Sequence, residues 1–211
     1  MSGLRIRGIG FSADEIRDLV IAWGALGVAF SVFILGATGR SIFPGIVTTV
    51  FSPLFVRVFA LSVLTVGIGF LLHELAHKVV AVRFGQIASF RADYGMLALC
   101  IIAAFAGFLF AAPGAVYHRG RITLRQRGLV SVAGPLTNVA LVVVCLPLVF
   151  LPGFFGQVGR VGVLVNAFLA AFNMIPFGPL DGKTVLTWSR PVFAVVFVGS
   201  ALLAAGAFLI F

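Results

Sequence analysis

Apolar residues run along this chain in blocks, without the alternation of a half-buried strand or the half-polar face of a soluble helix. Five blocks, at about 19–37, 58–82, 129–151, 161–177 and 191–211, are each near the ~20 residues a helix needs to cross a bilayer. A sixth, 96–112, has 17 residues, is short for a span, and closes on Ala112-Pro113-Gly114. Residues 42–55 are apolar but broken by Pro44, Gly45 and Pro53, which predicts an interfacial stretch or a bent extension of the next helix. Ahead of the first block, Ser12 and Glu15 have capping-box spacing, with Phe11 and Ile16 at the staple positions. Asp14, Glu15 and Asp18 there complement the helix dipole. Gly85 fits a C-cap for the second block, and Pro152 to Arg160 reads as a loop. The pattern predicts an all-α polytopic membrane protein. It is a bundle of five to six spans with a short re-entrant or strand-containing element after the second. The whole chain, 1–211, reads as one membrane-embedded domain with a core at about 58–185, an extra first span at 19–37 and a last span at 191–211.

Composition strengthens this picture. Of 211 residues, 61% are hydrophobic and 10% charged, and mean hydropathy is +1.19, which excludes an ordinary soluble domain. The net charge of +9 does not point to nucleic acid, because the basic residues flank apolar blocks instead of gathering on a polar face. Cys100 and Cys145 both sit in apolar blocks and read as packing residues. The first apolar block follows a polar start and is long enough to span, so no cleavable leader is expected.

Charge also fixes an expected topology. If 96–112 dips in and returns, 12 of the 15 basic residues share the N-terminal side, and Arg40, Arg57 and Arg160 take the other. If 96–112 crosses, the division is 7 against 8. The positive-inside rule selects the first arrangement: a cell-membrane protein with its N-terminus, and the ends of the spans bearing His77 and Asp181, on the cytosolic side.

The second block carries the candidate chemistry. Between Val58 and Val82 the titratable residues are His73, Glu74, His77 and Lys78. A charged group at membrane depth costs roughly 3 kcal/mol or more, so such a cluster marks function. His73-Glu74-Leu75-Ala76-His77 is the H-E-x-x-H zinc pattern. Residues i and i+4 lie one helical turn apart on one face and can both ligate one ion, while Glu74 can take a proton from a water there. A catalytic zinc keeps three protein ligands and one open position. Among candidates for the third, His118 sits in a basic loop and Asp93 beside Arg91 and Tyr94. Asp181 ends an apolar block behind Pro176, Gly178 and Pro179, where a broken helix can line a cavity. The plain alternative for Asp181 is a loop aspartate paired with Lys183.

Three motifs together, His73-Glu74-x-x-His77, Gly134-Pro135-Leu136-Thr137-Asn138 and Asn173-x-x-Pro176-x-x-Pro179-Leu180-Asp181-Gly182, resemble the site-2 protease family of intramembrane zinc metalloproteases. The resemblance covers about 60–185. It implies one Zn2+ per chain held by His73, His77 and Asp181, with Glu74 as base. It also implies Asn173 as a hydrogen-bonding partner of substrate or oxyanion, and cleavage of a membrane-embedded protein substrate in regulated intramembrane proteolysis. Asn138 matches the polar end of the glycine–proline motif, where an interhelical hydrogen bond is the plain reading. The chain departs from the family in lacking room for a PDZ insert between the third and fourth spans and in lacking a nucleotide-sensing domain. Its link after H-E-x-x-H is also longer and more apolar. That link is expected to dip into the membrane beside the site as a gate or edge strand. Expected partners are therefore the lipid bilayer and a membrane-protein substrate. The rival from another class is a zinc carrier or sensor using the same ligands. A carrier needs polar groups strung across the membrane, whereas these spans hold one cluster near one face. An inactive membrane chaperone is a further alternative, disfavoured by the complete residue set. Lys78 and Lys183 are expected to border a polar path to the cytosol.

Overall fold

The computed structural model describes residues 4–6, 8–37, 52–108 and 113–211. The polar lead forms an antiparallel hairpin of β1 (Leu4–Ile6) and β2 (Ile9–Phe11). It turns at Gly8, whose φ of 85° favours glycine. Helix α1 (Ala13–Ala37) starts six residues before the apolar block. Ser12 Oγ accepts the Glu15 N–H at 3.2 Å, so the cap is real. Asp14 and Glu15 stand in the first turn of α1, and the Glu15 and Asp18 side chains are buried against further partners.

Arg40 and most of the broken 42–55 stretch lie outside the described residues. Its end opens α2 (Pro53–Ser62), with Pro53 at the first turn and Ser52 as cap. A π turn, Val63–Gly67, joins α2 to α3 (Ile68–Arg83), making one apolar unit of 31 residues. The Trp23 indole donates to Val63 O at 2.9 Å from α1, tying this irregular turn to its neighbour.

The link after α3 is built as β3 (Ile87–Ala92), α4 (Tyr94–Phe105) and β4 (Gly114–Arg119), with β3 and β4 antiparallel. Twelve residues of helix reach about 18 Å, short of a ~30 Å hydrocarbon layer. The Asp93 N–H donates to Pro113 O at 3.0 Å, so the link ends beside its own start. Asp93 has a local role as the α4 cap, its carboxylate accepting from Met96 N.

Helix α5 (Leu124–Cys145) opens on a Thr123–Gln126 capping box, contains Pro135, and continues as a 3-10 turn, Leu146–Phe150. After a two-residue turn, α6 (Gly153–Asn173) follows, so the loop expected at 152–160 is mostly helix. Its glycines are packing residues. A Cβ at Gly156 would strike Leu151 O, one at Gly159 Val149 N, and one at Gly162 would lie 2.6 Å from Cys145 Sγ. Helix α6 ends at Asn173, the chain turns, and α7 (Asp181–Trp188) and α8 (Arg190–Ile210) complete the fold. Among the described residues five units, α1, α2–α3, α5 with its 3-10 end, α6 and α8, are long and apolar enough to span. The protein is a multi-pass membrane protein, with α3 packed between α5 and the β3–β4 pair.

Candidate metal centre

On α3, His73 and His77 stand one turn apart with ring centroids 4.6 Å apart and planes at 82°. Each ring is fixed from behind by α5. His73 Nδ1 lies 2.6 Å from Asn138 Oδ1, and His77 Nδ1 lies 2.8 Å from Val130 O. These partners decide the tautomers. Asn138 Nδ2 donates to Gly69 O at 3.2 Å and to Asn166 Oδ1 at 2.9 Å, so its oxygen is the group that faces the ring. Asn166 Nδ2 in turn donates to Gly162 O at 2.8 Å. A carbonyl only accepts, so both Nδ1 atoms carry protons, and in the neutral rings both Nε2 atoms are left with bare lone pairs.

Those two lone pairs face each other across 3.0 Å, and Asp181 Oδ2 lies 3.3 Å from each. Three acceptors converging without a donor between them repel one another unless a cation joins them. Ligand bonds of about 2.0–2.1 Å in tetrahedral array put ligand atoms about 3.3 Å apart, which this triangle matches. The three residues could hold a metal ion, their ligand atoms lying within 4.8 Å of one another. Gly134 keeps the space clear: a Cβ there would lie 2.5 Å from both Nε2 atoms.

Asp181 arrives from the other side of the helix break. It opens α7, which is seated by Val185 and Met174 against Val132 of α5. Gly182 lets this turn close, because a Cβ there would strike Met174 O. Asp181 meets the two histidines, so the alternative of a loop partner for Lys183 does not describe it.

Glu74 is buried beside the histidines, and its Oε2 accepts the Val116 N–H of β4 at 3.1 Å. His118 lies two residues further along β4, and burial followed by nearby Arg127 lowers its pKa. Asn173, at the end of α6, makes a local bond. Its amide donates to Leu169 O of its own helix at 3.0 Å, and among the described residues no hydrogen bond joins it to Glu74, the histidines or Asp181. Lys78 departs from expectation too. It is fully buried and borders no open path. Its ammonium meets both Glu15 carboxylate oxygens at 2.6 Å and Gly10 O at 2.7 Å, and lies 3.7 Å from the Phe11 ring centroid.

The sequence motifs do not mark Asn166, the Val130 carbonyl or the Val116 amide, and they mark Glu15 only as a capping residue. Two of these had a signal. Asn166 is a polar residue inside an apolar block, and a lysine on a membrane helix requires a nearby acid.

The chain is similar to curated relatives. It is 40% identical over 191 residues to the Methanocaldococcus jannaschii protein named "Putative zinc metalloprotease MJ0611", covering 88% of this chain and 90% of that one. It is 31% identical over 147 residues to the Bacillus subtilis protein named "Putative zinc metalloprotease YwhC", covering 59% of this chain and 66% of that one. No family model matches the chain, and neither does any solved structure.

Proposed function

We propose that this chain, which belongs to the zinc metalloprotease family of those two relatives, is an intramembrane peptidase of the site-2 protease type that cleaves a protein substrate in or near a membrane-spanning segment. The observation that carries this reading is the facing pair of bare Nε2 atoms, closed by Asp181 Oδ2 at 3.3 Å, with Glu74 next in sequence to His73. His73, His77 and Asp181 are the three residues that would hold one zinc ion. The chemistry a bound zinc supplies is Lewis acidity, which brings a water pKa toward about 7.

The remaining work falls to the chain itself. Asn138 and Val130 hold the two rings in one tautomer and one orientation. Glu74 accepts a proton from the attacking water and delivers it to the leaving amine. Its Oε2 is held by Val116 N–H, which leaves the other carboxylate oxygen for that transfer. Apolar packing around α3 keeps bulk water away from a site bordered by α5 and β4.

Strand β4 offers the substrate a place. Phe90 and Val116 are register partners whose N–H groups both point outward, one to Glu15 and one to Glu74. They therefore form a non-hydrogen-bonded pair, and the main-chain groups of Gly114, Val116 and His118 share the outer edge of β4. Among the described residues that edge has no strand neighbour. A substrate segment unwound from its helix can extend along it beside Glu74, which suits cleavage of a peptide bond that a helix would otherwise shield. The re-entrant link keeps the basic-rich side common to Arg91, Arg121 and Lys183, and by the positive-inside rule this side is cytosolic in a cell membrane.

Glu74 also separates this reading from a zinc carrier, in which a non-ligating acid beside the ligands has no task. The test is a comparison of membrane-protein fragments in cells making the wild-type chain or Glu74→Gln. A set of cleaved single-span proteins present only with wild type supports the reading. Identical fragment patterns contradict it.

A further inference from the structure

Lys78 follows a metal-ligand candidate directly and lies one turn beyond Glu74 on the same face of α3. A glutamate four residues ahead of a lysine is the favoured spacing for a helical ion pair. Here that pair is not made. Lys78 is taken by Glu15 of α1, with both carboxylate oxygens at 2.6 Å and the two side chains almost wholly buried. Glu15 has a second task, since its Oε1 accepts the Phe90 N–H of β3 at 3.0 Å. Phe90 is the register partner of Val116, and Val116 N–H is the donor to Glu74. The contacts close a ring that leaves α3 at Lys78, passes through Glu15, Phe90 and Val116, and returns to α3 at Glu74. The Phe70 ring, one turn before Glu74, packs edge-on against Phe90 with centroids 5.9 Å apart and adds an apolar contact across the ring.

Resting on the peptidase reading above, we propose that Glu15 and Lys78 are positioning residues for its base. Glu15 does two things. It withdraws the Lys78 ammonium from Glu74, which at this i,i+4 spacing would otherwise pair with it and occupy its carboxylate. It also fixes the β3–β4 pair against α3, so that Val116 N–H reaches Glu74 and the β4 edge lies where substrate must extend. Neither residue touches the reacting atoms.

A buried ion pair can be exchanged for neutral residues of similar size with little loss of stability, whereas removing one partner leaves a buried charge. Two neutral double variants therefore separate positioning from bulk stability. Glu15→Gln with Lys78→Met keeps an oxygen acceptor for Phe90 N–H. Glu15→Leu with Lys78→Met removes it. Both should fold and retain zinc. Hydrogen exchange in detergent, read on peptides covering 87–92 and 113–119, needs no substrate. Exchange there should rise about tenfold or more in the Leu–Met form and stay near wild type in the Gln–Met form, with 68–83 unchanged in both.

Cleavage of a liposome-embedded synthetic single-span peptide should follow the same order. The Gln–Met form stays within a few-fold of wild-type kcat. The Leu–Met form loses about tenfold or more, through kcat as well as KM. Single Glu15→Gln, which frees Lys78 to pair with Glu74, loses at least as much and is restored by adding Lys78→Met. Equal exchange in the two doubles, or equal kcat, overturns the positioning role. Failure of the wild-type protein to cleave, with the exchange difference intact, instead counts against the peptidase reading and leaves the ring of contacts standing.

Discussion

Asn138 Oδ1 lies 2.6 Å from His73 Nδ1 and so turns the far nitrogen of that ring toward Asp181. The asparagine is fully buried and its own amide is held by Gly69 and Asn166, so it cannot flip to present a donor instead. Asn138→Leu keeps the volume and removes the acceptor. Zinc affinity should fall about 10–100-fold, as is usual when the partner behind a ligating histidine is lost. Asn138→Asp keeps that acceptor but sets its second oxygen against Gly69 O and Asn166 Oδ1, so it should lose affinity as well. Competition with a chelating dye on purified protein measures both, and unchanged affinity in Asn138→Leu would separate this residue from the site.

Gly134 tests the shape of the site. A methyl group there would sit 2.5 Å from both Nε2 atoms, inside any real contact distance. Gly134→Ala should lower zinc content sharply while leaving the helical signal in circular dichroism intact. Full zinc content in that variant would mean that α5 stands further from the histidines than described here.

The ligand set makes a direct claim on stoichiometry. Purified protein should contain one zinc per chain. His73→Ala, His77→Ala and Asp181→Ala should each lose most of it, because each removes one corner of the triangle of 3.0 to 3.3 Å edges. Elemental analysis after gel filtration decides this, and retention in Asp181→Ala would remove that residue from the centre.

Much of this site is legible in the sequence because membrane depth leaves few polar residues to choose from. His73, Glu74 and His77 are nearly alone in an apolar block, and Asp181 follows a run of breakers that could only interrupt a helix. That the link after α3 holds a short helix and strands instead of a full span is legible in its 17-residue apolar run. What stays hidden is long-range pairing. Nothing local to Glu15 says that it will meet Lys78, 63 positions away, because its capping spacing is satisfied by its backbone while its side chain goes elsewhere. The start of α6 is misread for a different reason. Glycines at 153, 156 and 159 look like a loop, yet two of them exist to admit a neighbouring backbone at close range.

Topology has its own test. On a background with Cys100 and Cys145 replaced, a single cysteine at Arg121 should label from the cytosolic side and one at Pro152, in the turn before α6, from the opposite side. Arg57 supports the second assignment, since its guanidinium donates to Gln157 Oε1 at 3.0 Å and sets the starts of α2 and α6 at one level. Labelling of both positions from one side would break the arrangement in which His77 and Asp181 share a membrane face.

Glu74 carries the central claim. Glu74→Gln preserves the side-chain shape and an oxygen for Val116 N–H but removes the proton acceptor. The measurement is cleavage of a liposome-embedded single-span peptide together with zinc content, on wild type and Glu74→Gln prepared side by side. Zinc should remain at one per chain in both, and cleavage should fall by about 10²–10⁴-fold in the variant. Wild-type cleavage by Glu74→Gln would contradict the hydrolytic mechanism, and loss of zinc along with cleavage would make Glu74 a ligand instead of a base.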